Sequence, residues 1–183
     1  MTSPSELNLG TDPGQEPISM LSASDFTSGM RLQACTVCVV TTAHAGVPSG
    51  MTVTTLVSVS VQPPTLLICA HDASHCGAAI RESGRFCVNL LKDTAATTAD
   101  LFAGRTGIFA AERFDNVGWQ EGDDGCPVLT DALIAFECRL ESATRVATHW
   151  LFVGRPIHLH NQGGDPLVYA DRAFRALAET DLR

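Results

Sequence analysis

Residues 50 to 64 read GMTVTTLVSVSVQPP, and this run limits the fold more tightly than any other part of the chain. Alternate positions separate Met51, Val53, Thr55, Val57, Val59 and Val61 from Thr52, Thr54, Leu56, Ser58 and Ser60. A period of two among β-branched residues predicts an extended strand over about 51–61. The prolines at 63 and 64 end it by withdrawing ladder donors. A strand of that length exceeds the usual five or six residues and predicts a strongly coiled sheet or a barrel. Its second face carries hydroxyls and no charge. A solvated strand face normally carries Lys and Glu, so this one reads as a lining that hydrogen-bonds something bound.

The rest of the chain sets the frame for that strand. Its 183 residues, 45% of them apolar, predict one domain over 20–183 behind a polar, Pro- and Gly-rich leader at 1–19. A net charge of −8 without a Lys or Arg cluster excludes bulk electrostatic binding to a nucleic-acid backbone. No apolar run approaches the roughly 18 residues of a membrane span, and the expected location is cytoplasmic. Seven cysteines, with Cys38, Cys69, Cys87 and Cys138 inside apolar runs, read as free buried thiols rather than a disulfide framework.

Ser22 opens a capping-box-like start for a helix through about Gln33. Strands are predicted at 36–42, 65–70, 86–91, 133–143 and 150–160, with a turn at HAGVPSG. Helices are predicted at 75–83 and 95–104, a last short one from about Arg172, and loops at 118–125 and 161–165. Short connections and few helices of βαβ spacing predict a mainly β, antiparallel barrel with peripheral helices.

HDASHC places His71, His75 and Cys76 close together. His71 ends a strand and a turn intervenes, so a four-ligand zinc set is not formed there and no metal is expected. Ser74 at the start of a helix either caps it or joins its unpaired N–H groups in seating an anion; the sequence leaves both open. Cys35-Thr-Val-Cys38 leads into a strand rather than opening a helix, which counts against thiol redox chemistry. Neither a G-x-S-x-G elbow nor a GxGxxG or GxxxxGK[ST] loop occurs. His149, beside Trp150, reads equally as a core or a ligand-facing histidine.

Several pieces in order resemble the flavin reductase family. They are GMT at 50–52, SVS at 58–60 before Pro63-Pro64, I-x-x-S-G-x-F-x-V-N at 80–89, FAG at 102–104, RF at 113–114, PVL at 127–129, FVGR at 152–155 and PLVY at 166–169. The resemblance covers about residues 24–178 and implies the FMN-binding split β-barrel fold. It further implies an NAD(P)H-dependent flavin reductase, using FMN or FAD with NADH or NADPH, that works as a homodimer and hands reduced flavin to a flavin-dependent monooxygenase. The ending VYADRAF is similar to that of actinorhodin-pathway flavin reductases, which implies secondary metabolism.

By the same resemblance the flavin lies along Thr52, Val53, Thr54, Thr55, Leu56, Ser58 and Val59. Its phosphate lies by Ala73, Ser74, His75 and Cys76, and His149 stands near the nicotinamide. Two positions depart from the family pattern. Ala147-Thr148-His149-Trp150 replaces a common Gly-Asp-His-Thr, removing an acid and adding an indole. Cys76 stands where a threonine is common, a weaker hydrogen-bonding group. A split-barrel protein that retains its flavin for another substrate, with Trp150 reshaping the nicotinamide position, and a non-enzymatic flavin carrier are the alternatives.

Overall fold

The computed structural model describes residues 20–178, so the leader expected at 1–19 lies outside the described residues. Twelve strands are found among them: β1 (Cys35–Thr36), β2 (Cys38–His44), β3 (Val47–Val53), β4 (Leu56–Val61), β5 (Pro64–His71), β6 (Arg85–Leu91), β7 (Trp119–Glu121), β8 (Pro127–Leu129), β9 (Ala132–Val146), β10 (His149–Asn161), β11 (Val168–Ala170) and β12 (Ala173–Arg175). The helices are α1 (Ala23–Met30), α2 (His75–Ser83) and α3 (Ala96–Phe102), with a 3-10 segment at Ala110–Asn116.

Seven strands form one antiparallel sheet in the order β3-β2-β6-β9-β10-β5-β4. β3 and β4 follow each other in sequence yet occupy opposite edges of that sheet. On a flat sheet, six spacings of about 4.8 Å would part them by roughly 29 Å. Three Cα steps from Val53 to Leu56 reach only about 11 Å. The sheet therefore has to curl until its edges meet, and the fold is the mainly β, antiparallel barrel that the sequence predicts.

The opening run is thus two strands and not one. Thr54 and Thr55 lie outside both ladders and form the joint between the edges. Three other expectations change as well. The HAGVPSG turn shrinks to Ala45-Gly46, both at positive φ, with β3 already running from Val47. The loop at 118–125 contains β7, paired with β8. The helix expected from Arg172 is instead β12, hairpinned onto β11 through Asp171 and Arg172, both at positive φ. Pairing with β11 overrides the helical propensity of a short exposed run.

Strand β2 shows how the core is divided. Cys38 and Val40 face one apolar cluster with Ile68, Ile80, Phe86 and Phe152. Val37, just before the strand, and Val39 face a second cluster with Ala99, Phe102, Phe114 and Leu129. Alternation on a strand buried on both sides explains its uninterrupted apolar reading. α2 packs over the first cluster. Ser74 caps it, with Oγ accepting from Gly77 N at 3.2 Å, and Gly84 ends it at φ +68°. α1 starts at the Ser22 cap as predicted but stops at Met30.

Most buried polar side chains are paired, with Asp124 Oδ2 and Arg85 Nε the exceptions among the described residues. Asn89 is fully buried: Nδ2 donates to Val39 O and Thr41 Oγ1, each at 3.1 Å, and Oδ1 accepts from Leu129 N at 2.9 Å. One amide thus stitches β2, β6 and β8 together. All seven cysteines are free, and Cys38, Cys76, Cys87, Cys126 and Cys138 are buried. No helix among the described residues is long and apolar enough to cross a membrane.

Candidate functional site

The joint at Thr54 and Thr55 opens onto a groove of about 480 Å3 at the barrel seam. One wall is β3, through Met51, Thr52 and Val53. The facing wall is α3, through Ala99 and Phe102, with Ala103 and Arg105 following it. The end of β5, Ser74 and His149 line the groove too, and Tyr169 of β11 and Phe174 of β12 close it. The lining mixes apolar side chains with the hydroxyl-bearing Thr52, Thr54, Thr55 and Ser74, two imidazoles and Arg105.

The hydroxyls of the run have different fates. Thr52 Oγ1 donates to Ala99 O at 2.7 Å, so it ties β3 to α3 and is spent on the fold. Thr54 is exposed and Thr55 half-buried, and among the described residues neither hydroxyl has a protein partner. Leu56 leaves the groove for an adjoining cavity of about 690 Å3 beneath α1, which also borders Thr54 and Thr55. Ser58 and Val59 are exposed farther along β4, outside the groove. The reading of one continuous hydroxyl lining therefore narrows to the joint.

A third cavity, of about 740 Å3, shares Met51 and Ser74 with the groove and takes in Ala73, His75 and Cys76 at the start of α2. Ser74 Oγ, besides capping the helix, donates to Met51 Sδ at 3.1 Å. Cys76 behaves differently from a polar ligand. Its Sγ donates to Val40 O at 3.6 Å, and burial pushes the thiol pKa up to about 12. Whatever Cys76 offers a ligand comes from its backbone. Arg113 holds the far wall, Nε donating to Ile108 O at 3.1 Å and Nη1 to Gly50 O at 3.3 Å.

His149 is exposed and is no core histidine. It begins β10 directly opposite His71 on β5, with ring centres 5.2 Å apart and planes at 79°. Thr148 Oγ1 lies 3.0 Å from its Nδ1. The sequence lacks an acid just before His149, and the nearby strand end supplies one to its neighbour His71 instead. Asp72 N donates to Thr148 O at 2.9 Å, and the Asp72 carboxylate lies 3.2 Å from His71 Nδ1 and 2.6 Å from Arg145 Nη2. Trp150, one residue on, faces the other side of the sheet. Its indole packs on the first core cluster with the Arg81 guanidinium 4.5 Å above it, so it does not reshape the groove.

A family model described as the flavin reductase like domain matches residues 30–178. The chain belongs to the flavin reductase family. It is similar to FMN reductase (NADH) RutF 1 of Methylorubrum extorquens strain PA1, 34% identical over 171 residues, covering 93% of this chain and 84% of that one. Among solved structures it resembles BorF, the flavin reductase component of a bacterial two-component tryptophan halogenase. There the TM-score is 0.79 at 31% identity, covering 87% of this chain and all, 100%, of that one. It also resembles the flavin reductase HpaC complexed with NADP+, with a TM-score of 0.77 at 32% identity over 85% and 98% of the two chains.

For a flavin reductase, the lining that sequence reasoning missed comes from outside the opening run. Ala99, Phe102, Arg105, Tyr169 and Phe174 complete the groove. Arg105 is the cation on its rim. Its guanidinium lies 5.9 Å from the centre of the Tyr169 ring and pairs with Asp100 Oδ1 at 2.8 Å. The bond to Tyr169, then that to Asp100, raises its pKa further. The FAG piece at 102–104 and the chain's single tyrosine were the available signals, but only the fold places them against β3.

Proposed function

We propose that this chain is an NADH-dependent FMN reductase that releases reduced flavin to a separate flavin-dependent monooxygenase, working as a homodimer in the cytoplasm and in secondary metabolism. The observation that carries the reading is the two-threonine joint, its polar groups unspent, facing an apolar wall with an imidazole at the open side. A flavin ring is flat, apolar on its faces and edged by carbonyls and ring nitrogens, and that pattern fits such a groove. Backbone and hydroxyl groups of Thr54 and Thr55 would meet the polar edge. Met51, Val53, Ala99 and Phe102 would cover a face and exclude water.

Bound flavin supplies the chemistry, accepting a hydride at N5 from nicotinamide C4. Hydride transfer needs no general acid or base, so the protein's part is positional. His149, next to His71, is placed to hold the nicotinamide side. The start of α2, at Ala73 to Cys76, is placed to seat the phosphate through backbone N–H groups. The RutF relative named above supports FMN and NADH over FAD and NADPH. BorF, the reductase component of a two-component halogenase, supports delivery of reduced flavin to a separate enzyme. Ser58 and Val59, outside the groove on an exposed sheet edge, are the part of the run we assign to a partner subunit close to the flavin.

The test is NADH oxidation followed at 340 nm with and without added FMN, alongside gel filtration. Turnover that requires added FMN, with no flavin carried through the column, is expected. Flavin retained through the column without NADH turnover would overturn the reading in favour of a flavin-retaining protein or carrier. Sedimentation should show a dimer at micromolar concentration. A fully active monomer would remove the dimer from the proposal.

A further inference from the structure

The end of β10 remote from His149 gathers metal-ligating side chains that the reductase groove does not use. His158 and His160 are two residues apart on β10, so strand alternation sets both on one face. Opposite them stand Glu137 of β9, which is fully buried, and Asp123 in the turn between β7 and β8. His160 Nε2 lies 2.8 Å from Glu137 Oε1, and His158 Nδ1 lies 3.7 Å from Asp123 Oδ2. One ligand atom each from Asp123, Glu137 and His160 falls within 4.8 Å of the others. Two tetrahedral ligands on zinc, each at about 2.0–2.1 Å, are roughly 3.3 Å apart. The His160–Glu137 separation is somewhat shorter than that value, and the full set of three reaches no more than 4.8 Å.

The corner is also built to hold its carboxylate still. Glu137 Oε1 accepts from Asp123 N at 3.0 Å and Oε2 from Asp124 N at 2.9 Å. Gly122 is required there, because a Cβ at that position would come within 2.4 Å of Oε2. Each carboxylate oxygen has two acceptor sites, so Glu137 can keep both backbone bonds and still offer Oε1 to a cation. Asp124 stands beside the cluster but outside it. Neighbouring Asp124 is only 9% exposed, and its Oδ2 is buried with no hydrogen-bond partner, although Oδ1 pairs with Arg139. Arg85 Nε is buried without a partner as well, and its guanidinium lies against Gly125 beside Asp124, so the corner leaves one acceptor and one donor unmade, the mark of a bound water or ion.

We propose that Glu137, His160 and Asp123 form a site for one divalent cation of the zinc type, with a water as the fourth ligand and His158 flanking it beside Asp123. An imidazole beside two carboxylates suits a borderline tetrahedral cation better than calcium or magnesium, which favour oxygen alone. Against the sequence-based expectation of no metal, the ligands come from three separated segments that only the fold unites. The cation cross-links β9, β10 and the β7–β8 hairpin. Eleven residues of β10 part His149 from His160, roughly 36 Å of strand, so the site is structural and takes no part in hydride transfer.

The test uses the full chain, stripped with chelator and dialysed against Zn2+ at micromolar concentration. One equivalent per chain and a raised melting temperature are expected, and Co2+ should give the intense visible absorption of four-coordinate cobalt. His160→Gln and Asp123→Asn should each weaken Zn2+ binding by at least about tenfold, since even outer-shell changes cost that much. If His160→Gln fails to fold, Asp123→Asn decides, because that side chain is 68% exposed. The double variant His71→Ala/His149→Ala should retain the equivalent. Absence of stoichiometric binding, binding untouched by Asp123→Asn, or loss of the equivalent in the double variant would overturn the proposal.

Discussion

The two sides of strand β3 treat similar polar groups in opposite ways. Toward β2 and β6, the Asn89 amide is fully buried with its hydrogen bonds made, and Thr41 Oγ1, besides accepting from it, donates to Pro127 O at 2.5 Å. Beyond the end of β3, Thr54 and Thr55 keep their hydroxyls without a protein partner. Satisfied buried groups fix the barrel; unsatisfied accessible ones are what the barrel presents to a ligand. Residue type does not distinguish them, since Thr41, Thr52 and Thr54 are chemically alike. Partnership does.

Breaking the satisfied network should give the largest effect. Asn89→Ala removes three hydrogen bonds, strands the Leu129 N–H and opens a cavity. The unfolding free energy should fall by about 3 kcal/mol in a urea titration, with FMN affinity of the folded fraction unchanged. A loss of FMN affinity without loss of stability would mean that the two regions are not separate.

His149→Ala acts on the other region. The KM for NADH should rise about tenfold, the size of one lost hydrogen bond near 1.4 kcal/mol, while FMN affinity stays within a few fold. The melting temperature should hold, because the ring is exposed and no cavity forms. A sharp fall in stability with normal NADH constants would return His149 to a structural role.

The pair Thr54→Val and Thr52→Val sharpens the contrast at neighbouring positions. Thr54→Val should weaken FMN binding about fivefold in a fluorescence titration, near 1 kcal/mol, and leave stability alone. Thr52→Val should cost about 1 kcal/mol of stability instead, since its hydroxyl holds Ala99 O. Equal effects of the two would erase the distinction drawn here.

The smallest expected effect is on thiol labelling at pH 8. Burial pushes the Cys38, Cys76 and Cys126 thiols up to about 12 and raises Cys87 and Cys138 as well. A raised pKa leaves almost no thiolate at pH 8, so these five should stay unlabelled until denaturant is added. Half-buried Cys35 should react first, and Cys69 more slowly, because burial raises its pKa too. Rapid labelling of Cys76 in the native protein would show that its thiol reaches the cavity beside α2.

The strands were legible because their constraint is local: β2, β5 and β6 read as apolar runs, and their β-branched residues fit a sheet wherever it lies. The break at Thr54 was not, since threonine suits a strand as well as a joint and the cause is barrel closure. The inward direction of the Cys76 thiol was hidden for a related reason. Position next to Ser74 says nothing about side-chain direction, and the first turn of α2 rotates that thiol into the core while Ser74 stays at the groove. Arg105 and Tyr169 reach the groove only through tertiary packing. His149 was placed at the groove only through the family resemblance, and the pairing of β10 with β5 that puts it beside His71 was not readable from the chain.

The joint at Thr54-Thr55 also determines where the gene tolerates a change of length. The β4–β5 register is set by the hairpin at Gln62-Pro63, so gaining or losing one codon at the joint changes instead how β4 meets β3 across the seam. Thr54 and Thr55 would then shift against Met51 and Val53 on the groove wall. The same indel in the turn at 162–165, outside the long strands, meets no such condition. Among relatives that share this barrel, chain length should therefore vary freely at such turns and stay fixed at the joint, which makes spacing around the two threonines a better guide to membership than their identity.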